Sequence, residues 1–323
     1  MKVEKMLPAI GGLLVVGMLA AILIPLLWLP GDHSADQIES QRLIGATYMT
    51  MNNPFYQELD VRLQAAVEAR GDRLLTRDGV MDQDRQNQEI ADLLDMGVSA
   101  ILLNPVDWEK VSDGLQMAAQ AGVPVIVIDA PVKDDSLVAS TILSDNYQAG
   151  VQCAEHLLSV RDSANILLLE HITARSGADR IRGFLDTIAG HEGFAVVGAG
   201  SSDGQIENAM PVMEQMLAEH PEADVVMALN DPSALGALAA IEGAGLSDRF
   251  LVYGVDGSPE GKVLVADGLM TATSAQMLGK MAETAVEQAY LALDGGTPEK
   301  EIVLPVTLLT RDNVADYGTG GWQ

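Results

Sequence analysis

The sequence predicts an α/β protein built as two doubly wound parallel-sheet lobes in tandem, behind an apolar N-terminal segment. Three observations predict it. Short runs that are apolar throughout alternate with amphipathic stretches, glycines stand where those stretches end, and the whole plan occurs twice at a near-constant offset. Strands that are apolar at every position, rather than at alternate ones, are those a parallel sheet buries on both faces.

From Leu43 onward, strands are expected at 43–48, 73–76, 100–103, 125–128 and 140–143, with helices at 54–70, 82–96 and 108–121 between them. Asn53-Pro54 offers an N-cap followed by proline at the first helical position, and Gly71, Gly97 and Gly122 stand where helices stop. The second half repeats the plan, with strands at 165–169, 195–197, 225–229, 250–255 and 270–275. Its helices are expected at 147–158, 177–189, 205–220, 232–244 and 278–293. Asn104 and Asn230 are 126 positions apart, and Asp129 and Asp256 are 127 apart. In each half a buried strand ends in Asn and the next ends in Asp. Ligands bind at the carboxyl ends of strands in open α/β sheets, so four such residues at matched places point to a polar ligand held between lobes. Each taken singly is equally well read as a helix cap.

The first 30 residues stand apart. Leu7 to Leu29 runs 23 residues without a charge, after Lys2 and Lys5 and ahead of Asp32, Asp36 and Glu39. A helix of that length spans a bilayer of about 30 Å, and the flanking charges keep the N-terminus inside. Residues 1–30 are therefore either an uncleaved signal anchor or a cleaved signal peptide, and both export the rest of the chain. Residues 31–42 read as a polar linker.

Composition excludes several classes. Of the 323 residues, 19 are Lys or Arg and 46 are Asp or Glu, a net charge of −27. Such a chain has no basic footprint for nucleic acid, and anionic lipid headgroups repel it. A single cysteine makes neither an internal disulfide nor a Cys-rich zinc site.

Two catalytic patterns fail on inspection. Gly200-Ser201-Ser202-Asp203-Gly204 matches the G-x-S-x-G nucleophile elbow, but the only histidine after it is His220, in the very next helix, so no triad follows. Gly198-Ala199-Gly200 resembles a dinucleotide fingerprint whose third glycine comes one position late, at Gly204. The histidines at 33, 156, 171, 191 and 220 have no metal-ligand spacing and read mostly as surface or helix residues. Cys153 falls mid-helix and reads as a buried apolar residue. The reading is a binding protein with no enzymatic activity, cofactor or metal.

The motifs resemble a known family. Met51-Asn52-Asn53-Pro54-Phe55-Tyr56 after the first strand is similar to the opening of the periplasmic sugar-binding proteins of the ribose type, the substrate-binding components of ABC transporters. So, in the family's order, are Leu102-Leu103-Asn104-Pro105-Val106-Asp107, Val125-Ile126-Val127-Ile128-Asp129, Ser144-Asp145-Asn146, Arg180-Ile181-Arg182-Gly183-Phe184, Ala228-Leu229-Asn230-Asp231, Gly254-Val255-Asp256-Gly257 and Ala275-Gln276. The resemblance covers nearly all of 43–317. A membrane segment stands where related repressors carry a DNA-binding motif, which excludes that role.

The resemblance implies two lobes joined by three hinge strands, one of 43–144 plus 277–307 and the other of 145–276 plus 308–323. By position, Asn53, Phe55, Tyr56 and Asp129 would face the ligand from the first lobe, and Arg180, Asn230, Asp256 and Gln276 from the second lobe and hinge. These types suit a polyhydroxylated ligand: carboxylates accept hydroxyl protons, Arg donates in a fork, amides do both, and an aromatic face covers a sugar's C–H side. Phe55-Tyr56 also reads as core packing, and Arg180–Asp256 as a structural ion pair. The ribose pattern is broken at four places, now Met49, Ala130, Gly204 and Val255, so one cation and at least one aromatic wall are missing. Trp108, Tyr147 and Arg175 are candidates to refill the site. Ribose fits poorly; another pentose, a hexose, a polyol or a related polar metabolite remains open. The implied partners are that small molecule and an ABC permease, or alternatively a receptor kinase or chemoreceptor for a membrane-tethered sensor. The expected state is a monomer on the outer face of the cell membrane or in the periplasm.

Overall fold

A computed structural model describes residues 41–323. The expected signal or anchor segment at 1–30 and most of the linker at 31–42 lie outside the described residues. Among the described residues no helix is long and apolar enough to cross a membrane.

Two six-stranded sheets organise the chain. The first contains β1 (Leu43–Tyr48), β2 (Arg73–Asp78), β3 (Ala100–Leu103), β4 (Val125–Ile128), β5 (Ser140–Ser144) and β11 (Glu301–Leu304), in the order β11-β5-β4-β3-β1-β2. The second contains β6 (Ala164–Glu170), β7 (Phe194–Ser201), β8 (Val225–Ala228), β9 (Leu251–Asp256), β10 (Ala272–Ala275) and β12 (Thr307–Thr310), in the order β12-β10-β9-β8-β6-β7. Each order steps outward in both directions from its first strand, the doubly wound plan.

Helices cover both faces of both sheets. On the first sheet, α1 (Pro54–Glu68) and α9 (Leu278–Leu293) bury Leu59, Leu63, Met281 and Ala285 against one face, while α2 (Gln83–Asp95) and α3 (Ser112–Ala121) bury Leu93 and Leu115 against the other. On the second, α4 (Asn146–Val160) and α5 (Arg175–Ile188) oppose α6 (Ile206–Glu219), α7 (Asp231–Gly243) and α8 (Pro259–Asp267). A short α10 (Val314–Tyr317) follows β12.

Helix starts are set by local chemistry. Asn53 Oδ1 accepts the Phe55 backbone N–H at 3.0 Å with Pro54 at the first position, and Asp145 caps α4 through Gln148 N at 3.0 Å. The turn at 107–111 delays α3 to Ser112, so Trp108 precedes the helix that the sequence pattern begins with it. Helix α8 has no counterpart in the sequence pattern, because its nine residues are too few for a clear apolar period.

Burial of every strand on both faces fails at the sheet edges. Strands β2 and β7 have one neighbour each and are largely half-exposed or exposed. The second sheet is not wholly parallel either, because β12 runs antiparallel to β10, with Ala275 opposite Thr307. The cause is the path of the chain. Strand β11 runs with its neighbours toward the cleft, Pro305-Val306 crosses it, and β12 therefore enters the second sheet from the cleft end. Earlier crossings follow β5 and β10. After α10 the chain returns: Trp322 packs edge-on against Phe55 of the first lobe, with ring centroids 5.7 Å apart. Segment 318–323 thus bridges the lobes, since Lys262 of α8 donates to Gly321 O and Gly279 N donates to Gln323 O at 3.0 Å.

Candidate ligand-binding site

The carboxyl ends of both sheets face one cleft, and the strand-end residues meet there. Asp129 follows β4 with φ +70°, and Asp256 ends β9 with φ +131°. Both are backbone conformations that side-chain-bearing residues rarely adopt, and such strain gathers at binding sites. Asp129 is 2% and Asp256 3% exposed.

On the first lobe, Asp129 Oδ2 accepts from the Tyr56 hydroxyl at 3.1 Å and from Asn104 Nδ2 at 3.3 Å. Asn104 does not cap a helix. Its Oδ1 takes Met49 N at 3.1 Å and its Nδ2 also reaches Ile128 O at 3.2 Å, which ties together the ends of three strands. Phe55 is buried edge-on against Tyr56 at 5.4 Å and lines the cleft.

On the second lobe, Asp256 Oδ1 accepts from Gln276 Nε2 at 2.8 Å and from Arg180 Nη1 at 3.4 Å. Arg180 is held by Asn146 Oδ1, which accepts its Nε at 2.8 Å, and by Leu229 O, which accepts Nη1 at 3.0 Å. Two glycines make this possible. A Cβ on Gly150 would stand 1.8 Å from Arg180 O, and one on Gly183 2.0 Å from Tyr147 O, so α4 and α5 touch backbone to backbone. That contact brings the first residue of α4, Asn146, within reach of the guanidinium. Asn230 lines the cleft but is largely occupied: its Oδ1 caps α7 through Ser233 N at 3.0 Å, and its Nδ2 donates to Gly204 O at 3.0 Å.

Contacts also cross the cleft. Arg180 Nη2 lies 3.9 Å from Asp129 Oδ1, and Asn52 Nδ2 donates to Gln205 Oε1 at 2.7 Å. The cavity left between the lobes is about 30 Å³, less than a sugar ring occupies. Beside it, sharing Asn53, Gly204 and Gln205, lies a cavity of about 170 Å³ walled in part by Trp322.

Four buried side-chain polar atoms among the described residues have no hydrogen-bond partner. Three of them, Asp129 Oδ1, Asp256 Oδ2 and Gln276 Oε1, belong to residues lining this cleft. All three are acceptors. Burial raises the Asp129 carboxyl despite the opposing pull of Arg180, and lifts Asp256 to about 8, helped by neighbouring Asp231 and Asp129. Asp231, fully buried behind Asp256, is raised to about 6 by the same desolvation.

All eight residues expected at the site line the cleft. The three suggested replacements do not. Tyr147 is 37% exposed and hydrogen-bonds Asp186, turned outward by the close α4–α5 contact. Arg175 pairs with Asp179 at 3.0 Å and stacks on Trp108 across the lobes at 5.3 Å, so both are spent on each other outside the cleft. Sequence reasoning missed His171, 4% exposed in the cleft wall and made harder to protonate by burial, because no spacing marks it. It also missed Asn146 and Trp322, whose roles depend on contacts remote in sequence. Ser202 of the would-be nucleophile elbow is buried against Ser233 Oγ at 2.8 Å. The Cys153 thiol is buried and raised. Among the described residues no cluster of three potential metal ligands occurs.

Two doubly wound lobes with three chain crossings and a buried polar cleft of orphan acceptors define a solute-binding protein. A family model described as a periplasmic binding protein domain matches residues 44–297, and the chain belongs to that family. Membership makes it a solute-binding protein for transport rather than an enzyme, acting outside the cytoplasm. It is 32% identical over 270 residues to the ribose import binding protein of Escherichia coli (strain K12), covering 83% of this chain and 90% of that one. The ribose import binding protein of Bacillus subtilis (strain 168) is 31% identical over 293 residues, covering 90% and 94%. Among solved structures, a galactofuranose binding protein superposes with TM-score 0.81 at 26% identity, covering 85% of this chain and 96% of that one. An ABC transporter solute binding protein from Mycobacterium smegmatis with bound glycerol superposes with TM-score 0.83 at 27% identity, covering 87% and 99%.

Proposed function

We infer that the protein captures a small polyhydroxylated ligand, a sugar or polyol, between its lobes and delivers it to an ABC-type permease. The observation that carries this reading is the set of three orphan acceptor oxygens, one on the first lobe and two at the second lobe and hinge, buried in one cleft. Buried polar atoms cost free energy unless paired, and a ligand's hydroxyls supply the donors that these acceptors lack. Asn53, Phe55, Tyr56 and Asp129 bind from the first lobe, and Arg180, Asn230, Asp256 and Gln276 from the second lobe and hinge. Contacts on both sides favour the closed state, because only there are all of them made. The protein works as a monomer, held at the outer face of the membrane by its N-terminal segment. Relatives named for ribose and a neighbour carrying glycerol support the ligand class.

A thermal-shift screen of the purified protein against pentoses, hexoses and polyols tests this. A ligand at a hundred times its dissociation constant stabilises the fold by about 2.7 kcal/mol. Ribose should bind at least tenfold more weakly than the best of the panel, a gap of about 1.4 kcal/mol. A panel in which nothing raises the melting temperature sinks the reading.

A further inference from the structure

We propose that the ligand carries a cationic nitrogen, as an amino sugar or amino polyol does, and that its ammonium group sits between Asp129 and Asp256. The proposal rests on the sugar or polyol reading above and narrows it. It starts from a charge imbalance. Asp129 and Asp256 are both almost wholly buried, and each leaves one carboxylate oxygen without a hydrogen bond, that of Asp129 having only the long 3.9 Å approach of Arg180. Among the described residues lining the cleft, the one Lys or Arg is Arg180. Its guanidinium serves both carboxylates, at 3.4 Å from Asp256 and 3.9 Å from Asp129. It is also drawn aside by Asn146 Oδ1 and Leu229 O. Two buried carboxyl groups thus share one cation.

No other group facing the pair corrects this. Asp231 adds a third carboxylate behind Asp256, where Ser258 and Thr273 hydroxyls occupy its oxygens. Lys262 feels the charge of Asp231 but does not line the cleft, and it donates to Gly321 O. Tyr56 and Gln276 are neutral donors to the two carboxylates, and burial disfavours protonation of His171. Asp203, exposed at the rim, adds a further negative charge. Neutral hydroxyls satisfy orphan oxygens as acceptors but leave the site dependent on a proton to hold both carboxyls beside one cation. An ammonium supplies three donors and the missing positive charge together, through the stronger charge-assisted class of hydrogen bond. Burial already drives the unliganded site to take up a proton at Asp256, and a ligand cation at the same place replaces that proton.

Calorimetry on the whole protein with matched pairs decides it: D-glucosamine against D-glucose, D-galactosamine against D-galactose, and a monoamino inositol against myo-inositol. At least one amino compound should bind ten times or more tighter than its neutral parent. Asp129→Asn, which keeps the shape and removes one charge, should shrink that ratio to threefold or less. Neutral parents that bind as tightly as the amines would overturn the charge proposal and leave the sugar reading standing. If neither series binds while the protein melts cooperatively, both readings fall. The wild-type comparison holds whether or not the variant folds.

Discussion

Asp129 and Asp256 occupy the same place in the two lobes. Each terminates the third strand from the hinge-side edge of its sheet, adopts positive φ, and buries a carboxylate with one oxygen lacking a hydrogen bond. The cleft is a pseudo-symmetric pair of strained strand ends facing each other, with Arg180 inserted asymmetrically from the second lobe. A ligand bound there must repair both ends at once.

Replacing Asp256 with Asn separates binding from stability. The variant keeps the side chain's shape, removes one of two carboxyls sharing Arg180, and loses a carboxylate acceptor for the ligand. Ligand affinity should fall by about 2 kcal/mol, roughly thirtyfold. The unliganded melting temperature should hold or rise. An unliganded variant that melts well below wild type would show that Asp256 is a structural counterion for Arg180 instead.

Stability should fall as pH rises across the neutral range. Asp256 titrates near 8 when folded and near an ordinary carboxyl's ~4 when unfolded. Between those values the folded protein holds a proton the unfolded chain has released, so raising the pH favours unfolding. Asp231, at about 6, acts in the same direction. The unliganded protein should melt at a higher temperature at pH 5 than at pH 8. A melting temperature that climbs over that interval would contradict this assignment.

Gly150→Ala tests how Arg180 is aimed. The added Cβ meets Arg180 O at 1.8 Å, and backbone cannot yield as a flexible side chain does. Forcing α4 from α5 should cost ~1–3 kcal/mol of stability and weaken ligand binding by displacing Asn146 from the guanidinium. Gly243→Ala, at an open position at the end of α7, is the control and should leave binding unchanged and stability equal or slightly higher. Equal behaviour of the two variants would mean that the close helix contact does not aim Arg180.

Trp322→Ala should loosen Phe55. The edge-on ring pair contributes about 1 kcal/mol beyond its buried area, and Phe55 lines the ligand cleft. Affinity should fall severalfold, with Trp322→Phe recovering most of it by retaining an aromatic edge. If the alanine variant binds as wild type does, segment 318–323 has no part in the site.

The apolar strand runs, the glycine stops and the offset Asn and Asp residues determined the doubly wound halves and the strand-end carboxylates. These features depend on neighbours a few positions away, and each strand or cap carries its own signal. Contacts between remote residues decided the rest. The reversal of β12 follows from where β11 leaves the first sheet, and the exposure of β2 and β7 from having no outer neighbour. Asn104 became a tie between three strands while Asn230 stayed a cap, although their places in the two halves match. Trp108 and Arg175 satisfied each other across the lobes instead of entering the cleft, and Trp322 reached Phe55 from 267 positions away. No local pattern encodes such pairs, because each partner's chemistry is ordinary until the fold brings the other within reach.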